Sequence, residues 1–196
     1  MITKNKIVKI IELAKKCNEC ALHHFKKFDK KSVNYKDDNS PLTKADVEVN
    51  NIAVYGLQKL FPNIEIISEE LYNSKVIFKN KNYFWLIDPI DGTKEFINKS
   101  PNFTVNFALI KHNSPIFGLI AQPTTGIIWY NFNNKAWKLD KDQDFKSSQI
   151  IQCKGINYKK LRTLSSFNHR SKELEDWISF VKPISDQDIG SSIKFC

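Results

Sequence analysis

The chain has 196 residues, 41% of them hydrophobic, and carries 30 Lys and Arg against 21 Asp and Glu for a net charge of +9. That length fits one large domain or two small ones with a sizeable core, and no apolar run approaches the roughly 18 residues that span a bilayer. The lysines are spread along the chain and cluster only at Lys26, Lys27, Lys30 and Lys31, which is the pattern of a solvated surface and not of a nucleic-acid interface.

The first residues alternate Lys with Ile and Leu and lack the apolar core of a signal peptide, which reads as a cytoplasmic protein. The surplus basic charge also suits a small anionic substrate or the inner face of a membrane. Ile7, Ile10, Ile11, Ala14, Cys17, Ala21 and Phe25 recur at helical spacing and predict an amphipathic helix. Cys17-Asn18-Glu19-Cys20 has redox-motif spacing but lies inside that helix and not at a strand-to-helix turn. Cys153 and Cys196 are isolated, so no second pair completes a zinc site, and ordinary thiols in a reducing compartment are expected.

After a polar stretch at 30–40, Thr43-Lys44-Ala45-Asp46 has the form of a capping box. It predicts a helix through Val47, Val54, Leu57 and Phe61 that Pro62 stops. Residues 64–67 read as a short strand entering Ser68-Glu69-Glu70, and 83–87 as a strand buried on both faces. Proline at 89 is expected to end that strand. Gly92 then permits a tight turn and Thr93 opens a helix whose N-terminus favours anions. Short β-rich runs at 103–110, 115–122, 126–132 and 136–139, punctuated by Thr124-Thr125-Gly126 and Asn133-Asn134, predict an antiparallel meander. Residues 161–165 read as a strand and 171–181 as a helix with Leu174, Trp177, Ile178 and Val181 on one face. Helices, then a β-rich middle, then mixed elements give a layered α+β architecture.

The chemistry concentrates where two strands end in acids, at Ser68-Glu69-Glu70 and at Ile87-Asp88-Pro89-Ile90-Asp91-Gly92-Thr93. If the strands are neighbours, Glu69, Asp88 and Asp91 converge. An all-oxygen cluster of this kind suits Mg²⁺, which completes its shell with water and substrate phosphate. Two such ions would clamp the attacking and leaving oxygens of an in-line displacement. Thr93 can orient a water whose proton a carboxylate relays. Asp46 is the candidate, yet its capping position is a complete structural explanation, and spacing leaves both readings open. A phospho-aspartyl phosphatase is disfavoured, because its nucleophile would fall at Pro89. Gly-rich nucleotide loops are absent.

These motifs resemble the lithium-sensitive, magnesium-dependent phosphatases of the inositol monophosphatase superfamily. Asp38-Asn39-Ser40-Pro41-Leu42-Thr43-Lys44-Ala45-Asp46, Lys94-Glu95-Phe96, Phe103-Thr104-Val105-Asn106 and Gly190-Ser191-Ser192-Ile193-Lys194-Phe195-Cys196 resemble its 3'(2'),5'-bisphosphate nucleotidase branch. The resemblance implies a layered α/β/α/β/α sugar-phosphatase fold with two or three Mg²⁺ ions and inhibition by Li⁺. It implies one ion on Glu69, Asp88 and the Ile90 carbonyl, and a second on Asp88 and Asp91. Asp46, Thr93 and Glu69 become the catalytic set. Ile90, Asp91, Gly92, Thr93, His169, Ser191 and Lys194 become the substrate contacts. The implied reaction removes the 3'-phosphate of adenosine 3',5'-bisphosphate to give AMP, in support of sulfate assimilation.

Two departures qualify the resemblance. Ser166-Phe167-Asn168-His169 lacks the arginine usual in that branch, which bears on nucleotide preference, since Arg makes bidentate phosphate contacts that Phe cannot. The family also continues past the Gly-Ser-Ser segment through a Trp-Asp-x-Ala-Ala-Gly motif. A chain stopping at Cys196 therefore reads as C-terminally truncated and impaired, with 1–150 the metal-binding α+β portion and 151–196 the start of a C-terminal α/β portion. The alternatives are an inositol-phosphate-type phosphatase or a non-catalytic remnant of a disrupted gene.

Overall fold

The computed structural model describes residues 2–29, 34–35, 41–71, 82–166 and 170–196. Helix α1 (Lys4–Lys27) begins at Thr3, whose hydroxyl caps the first turn, and buries the apolar stripe running from Ile7 to Ala21. The two-residue strands β1 (Asn34–Tyr35) and β2 (Pro41–Leu42) pair antiparallel and lead into helix α2 (Lys44–Leu60). The expected capping box is present, and α2 ends at Phe61, one residue before Pro62. Its inward positions are Val49, Ala53 and Leu57, whereas Val47 faces outward. A Cβ on Gly56 would fall within 2.3 Å of Leu13, so glycine permits the close approach of the two helices.

Strand β3 (Glu65–Ser68) runs parallel to β4 (Tyr83–Asp91). Helix α3 (Thr93–Ile97) follows, and then β5 (Thr104–Lys111), β6 (Ser114–Ala121), β7 (Ile128–Phe132), β8 (Lys135–Leu139) and β9 (Gln149–Ile151). Together they form one seven-stranded sheet in the order β3-β4-β5-β6-β7-β8-β9, antiparallel from β4 onward. The expected meander is thus observed, with β9 added. Asn133 and Asn134 both take positive φ, as the tight β7–β8 turn requires. Alternate residues, Val105, Phe107 and Leu109 on β5 and Phe117, Leu119 and Ala121 on β6, point into the core shared with α1 and α2. The architecture is α+β, as expected.

Strand β4 corrects two expectations. It is not buried on both faces: Trp85 and Ile87 are buried, while Leu86 is 39% exposed. Nor does Pro89 end it. The strand runs on to Asp91 through a register shift, three residues of β4 spanning two of β5 between the Asp88–Asn106 and Asp91–Thr104 pairs. Such a bulge accommodates a residue that has no N–H to give to the ladder. On the core side, Trp85 packs between Phe61 and Phe117, at ring distances of 5.2 and 5.9 Å. We expect Trp85→Ala to destabilise the fold by about 3–5 kcal/mol; a loss under about 1 kcal/mol in denaturant titration would mean that this cluster does not anchor the helices to the sheet.

Strands β10 (Arg162–Ser165) and β11 (Ser185–Asp188) form a separate parallel pair joined through helix α4 (Lys172–Val181), capped by Ser171. The expected apolar face of α4 is only half-buried at Leu174, Ile178 and Val181, and Trp177 is 52% exposed. A short 3₁₀ turn (Ser192–Phe195) follows, with Ile193 half-buried and Phe195 exposed.

Candidate active site

The parallel pairing of β3 and β4 sets Ser68 opposite Ile87, so the residues that follow each, Glu69 and Asp88, leave adjacent strand positions together. In a regular strand, residues three apart point to opposite faces. The extra residue of the bulge brings Asp91 round to the side of Asp88, whose carboxyl feels its charge. Gly92 has φ of +91°, and a Cβ there would lie 3.1 Å from the Ser191 side chain and 3.2 Å from the Asn102 carbonyl. Only glycine accepts that conformation and that closeness without strain. Helix α3 starts directly afterwards.

Thr93 does not cap α3. Its hydroxyl donates to the Ile90 carbonyl at 3.1 Å and faces Asp46 Oδ1 at 3.4 Å. Asp46 is 1% exposed, and its Oδ2 accepts the Thr43 N–H at 2.8 Å together with the Thr43 hydroxyl. The capping reading of Asp46 is therefore observed on Oδ2, and Oδ1 is left facing the Thr93 hydroxyl. Asp91 Oδ2 is held by Asn106 Nδ2 at 3.3 Å, by Thr104 Oγ1 at 3.5 Å and by the Ser192 N–H. Ser192 Oγ in turn meets Thr104 at 2.8 Å and donates to Asn106 at 3.0 Å. Sequence reasoning gave Thr104, Asn106 and Ser192 no role. The available signal was Thr104 and Asn106 alternating with buried Val105 and Phe107.

Burial drives the Asp88 carboxyl up to about 9, and the charges of Glu69, Asp91 and Asp46 push the same way, as does a hydrogen bond with Glu69. Its Oδ1 is buried with no hydrogen-bond partner among the described residues. A buried carboxylate oxygen lacking a donor, inside a group of like charges, is what a divalent cation resolves. The residues present fit a hard cation bound through oxygen.

The acids border a cleft of about 460 Å³ lined by Glu69, Asp91, Gly92, Thr93, Ser191 and Lys194 among others, within the roughly 300–1,000 Å³ usual for small-ligand sites. Ser191 is 8% exposed at φ +52°, and Lys194 Nζ bonds the Ser191 carbonyl across the turn. His169 lies outside the described residues. Arg170, the next residue, does not replace the arginine missing from the preceding segment, because it is ion-paired with Asp186, Asp188 and Glu175. A second hollow of about 480 Å³ lies over the exposed sheet face at Leu86, Ile120 and Trp129; it is largely apolar, and Asp88, Asn106 and Ser192 also line it.

Fold and site together define a class, the metal-dependent phosphatases of mixed α+β architecture. Within it the chain belongs to the inositol monophosphatase family, whose model matches residues 4–194. It is 35% identical over its whole length to the 3'(2'),5'-bisphosphate nucleotidase CysQ of Buchnera aphidicola subsp. Acyrthosiphon pisum (strain APS), covering 72% of that protein. With the CysQ nucleotidase of Shigella flexneri it shares 32% identity over 95% of this chain and 74% of the relative. The crystal structure of CysQ from Bacteroides thetaiotaomicron, a bacterial member of the inositol monophosphatase family, superposes with a TM-score of 0.75 at 26% identity, over 98% of this chain and 74% of that one. No described helix is long and apolar enough to cross a membrane.

Proposed function

We propose that the chain is a magnesium-dependent phosphomonoesterase that removes the 3'-phosphate of adenosine 3',5'-bisphosphate to give AMP. The observation that carries this reading is the meeting of Glu69, Asp88 and Asp91 beside the Asp46–Thr93 pair, with Glu69, Asp91 and Thr93 lining one cleft. The nucleotidase relatives at 32–35% identity supply the substrate class. Glu69, Asp88 and the Ile90 carbonyl would hold one ion, and Asp88 with Asp91 a second. Bound there, Mg²⁺ supplies Lewis-acid stabilisation of the phosphoryl oxygens.

The chain's own groups do the rest. Thr93 Oγ1 positions the attacking water and passes its proton toward Asp46 Oδ1, 3.4 Å away. Glu69 stands as the further carboxylate beside that water. Thr104, Asn106 and the Ser192 N–H fix Asp91, so that its second oxygen is presented in one orientation. Ser191, Lys194 and the N–H groups after Gly92 face the substrate from the cleft wall, with His169 proposed alongside them. The excess of lysine favours encounter with an anionic nucleotide.

The deciding measurement is phosphate release from adenosine 3',5'-bisphosphate and from inositol monophosphate in parallel, with Mg²⁺ and with EDTA. The reading requires Mg²⁺-dependent turnover that prefers the nucleotide; preference for the inositol ester would replace it with the other substrate class. Thr93→Val keeps the shape and removes the hydroxyl. It should lower turnover by roughly 30–100-fold while leaving Mg²⁺ affinity within about threefold. Equal loss of both would assign Thr93 to the metal site instead.

A further inference from the structure

The outer surface of the helical layer carries a second donor cluster, chemically unlike the acid site. Cys20 and His24 stand four residues apart in α1 and therefore share a helix face. Glu48 reaches the same place from the second turn of α2. Glu48 Oε2 lies 2.8 Å from His24 Nε2 and 3.9 Å from Cys20 Sγ, and all three donor atoms fall within 4.8 Å of one another. Tetrahedral zinc, with bonds of about 2.0–2.3 Å, needs ligand atoms about 3.3–3.7 Å apart. The His24–Glu48 contact has to open by about half an ångström and Cys20 Sγ to close on Glu48 by a few tenths. The His24 and Glu48 side chains are 22% and 59% exposed, so an ion can enter from solvent and a water can take the fourth position.

We propose that Cys20 Sγ, His24 Nε2 and Glu48 Oε2 form a zinc site that ties the last turns of α1 to the first turns of α2. The donor set distinguishes it from the acid cluster, since a thiolate and an imidazole select zinc over magnesium or calcium. Cys17 belongs to a different environment. It is fully buried in the core between the helices and sheet, so the Cys17-to-Cys20 spacing marks one core thiol and one ligand and not a redox pair. Glu48 is two residues from Asp46, but Asp46 turns into the protein and Glu48 out of it, so the two sites use separate side chains.

The test uses the full chain carrying Cys153→Ser and Cys196→Ser, which removes the exposed thiols outside the cluster. The metal-free protein is titrated with Co²⁺ as a spectroscopic probe, and then with Zn²⁺ against a chromophoric chelator. We expect one thiolate-bound Co²⁺ per chain, counted from its thiolate-to-metal absorption band and tetrahedral ligand-field bands and displaced by Zn²⁺; Co²⁺ on the all-oxygen acid cluster gives no such band. Cys20→Ser should abolish the thiolate band, and His24→Gln and Glu48→Gln should each weaken Zn²⁺ binding at least tenfold. Asp88→Asn should leave the thiolate band and its displacement by Zn²⁺ unchanged. Absence of a thiolate band, a band that survives Cys20→Ser, or a band lost with Asp88→Asn overturns the proposal.

Discussion

Asp88→Asn should lower Mg²⁺-dependent phosphate release by about a thousandfold, equivalent to about 4 kcal/mol of transition-state stabilisation, without destabilising the metal-free protein. The two halves of that result have one cause. In the proposed function Asp88 is the carboxylate common to both ions, so its charge cannot be replaced from elsewhere in the chain. In the metal-free fold the same carboxyl is a burden, kept protonated by burial and by Glu69, Asp91 and Asp46, with Oδ1 buried and unpartnered among the described residues. Asparagine keeps the volume and is neutral without holding a proton. Melting in EDTA at pH 8 should place the variant at or above the parent, and Mg²⁺ should raise the parent's Tm alone. A variant that melts well below the parent and keeps activity within tenfold would make Asp88 a structural acid.

Mg²⁺ should bind more tightly as pH rises from 6 to 9, by up to tenfold per unit, and level off above about pH 9. The direction follows from Asp88, held protonated up to about 9 in the metal-free fold against 3.8 for an ordinary aspartate. Binding has to displace that proton. The same shift fixes the sign of the stability effect. Across this window the folded state holds a proton that the unfolded chain has released, so the metal-free protein loses stability as pH rises through the folded value. Asp88→Asn should flatten that part of the curve, and saturating Mg²⁺ should restore the parent most at the alkaline end. Calorimetric Mg²⁺ titrations at pH 6, 7.5 and 9 check both; affinity independent of pH would show that Asp88 is already ionised.

Legibility in the sequence tracked how local each determinant is. The helices are readable because α1 and α2 carry their stripes, and α2 its Thr43 cap, within a few residues. The acids were readable because each follows its own strand. Their convergence depended on β3 pairing with β4, a parallel contact that no local pattern states. The passage of β4 through Pro89 is not legible, since the rule against proline holds for regular ladders and this ladder shifts register there. Strand β11 is not legible because Ser185-Asp186-Gln187-Asp188 has no apolar alternation. It is held by its neighbour, through Thr163 to Asp186 at 2.6 Å and Ser165 to Asp188 at 3.0 Å. The Cys20–His24–Glu48 cluster joins two helices and was invisible for the same reason.

The divided carboxylate of Asp46 makes a silent form of the protein easy to reach. Both Thr43 groups donate to Oδ2, so an asparagine at 46 has to keep its oxygen on that side to preserve the start of α2. Its amide nitrogen then faces Thr93, where an acceptor stood. The threonine hydroxyl would be occupied by that new donor while still bonded to the Ile90 carbonyl, and residue 46 could no longer take up a proton from it. On the proposed function, a single atom exchanged, oxygen for nitrogen, turns the site into a well-folded decoy that still binds what it no longer cleaves.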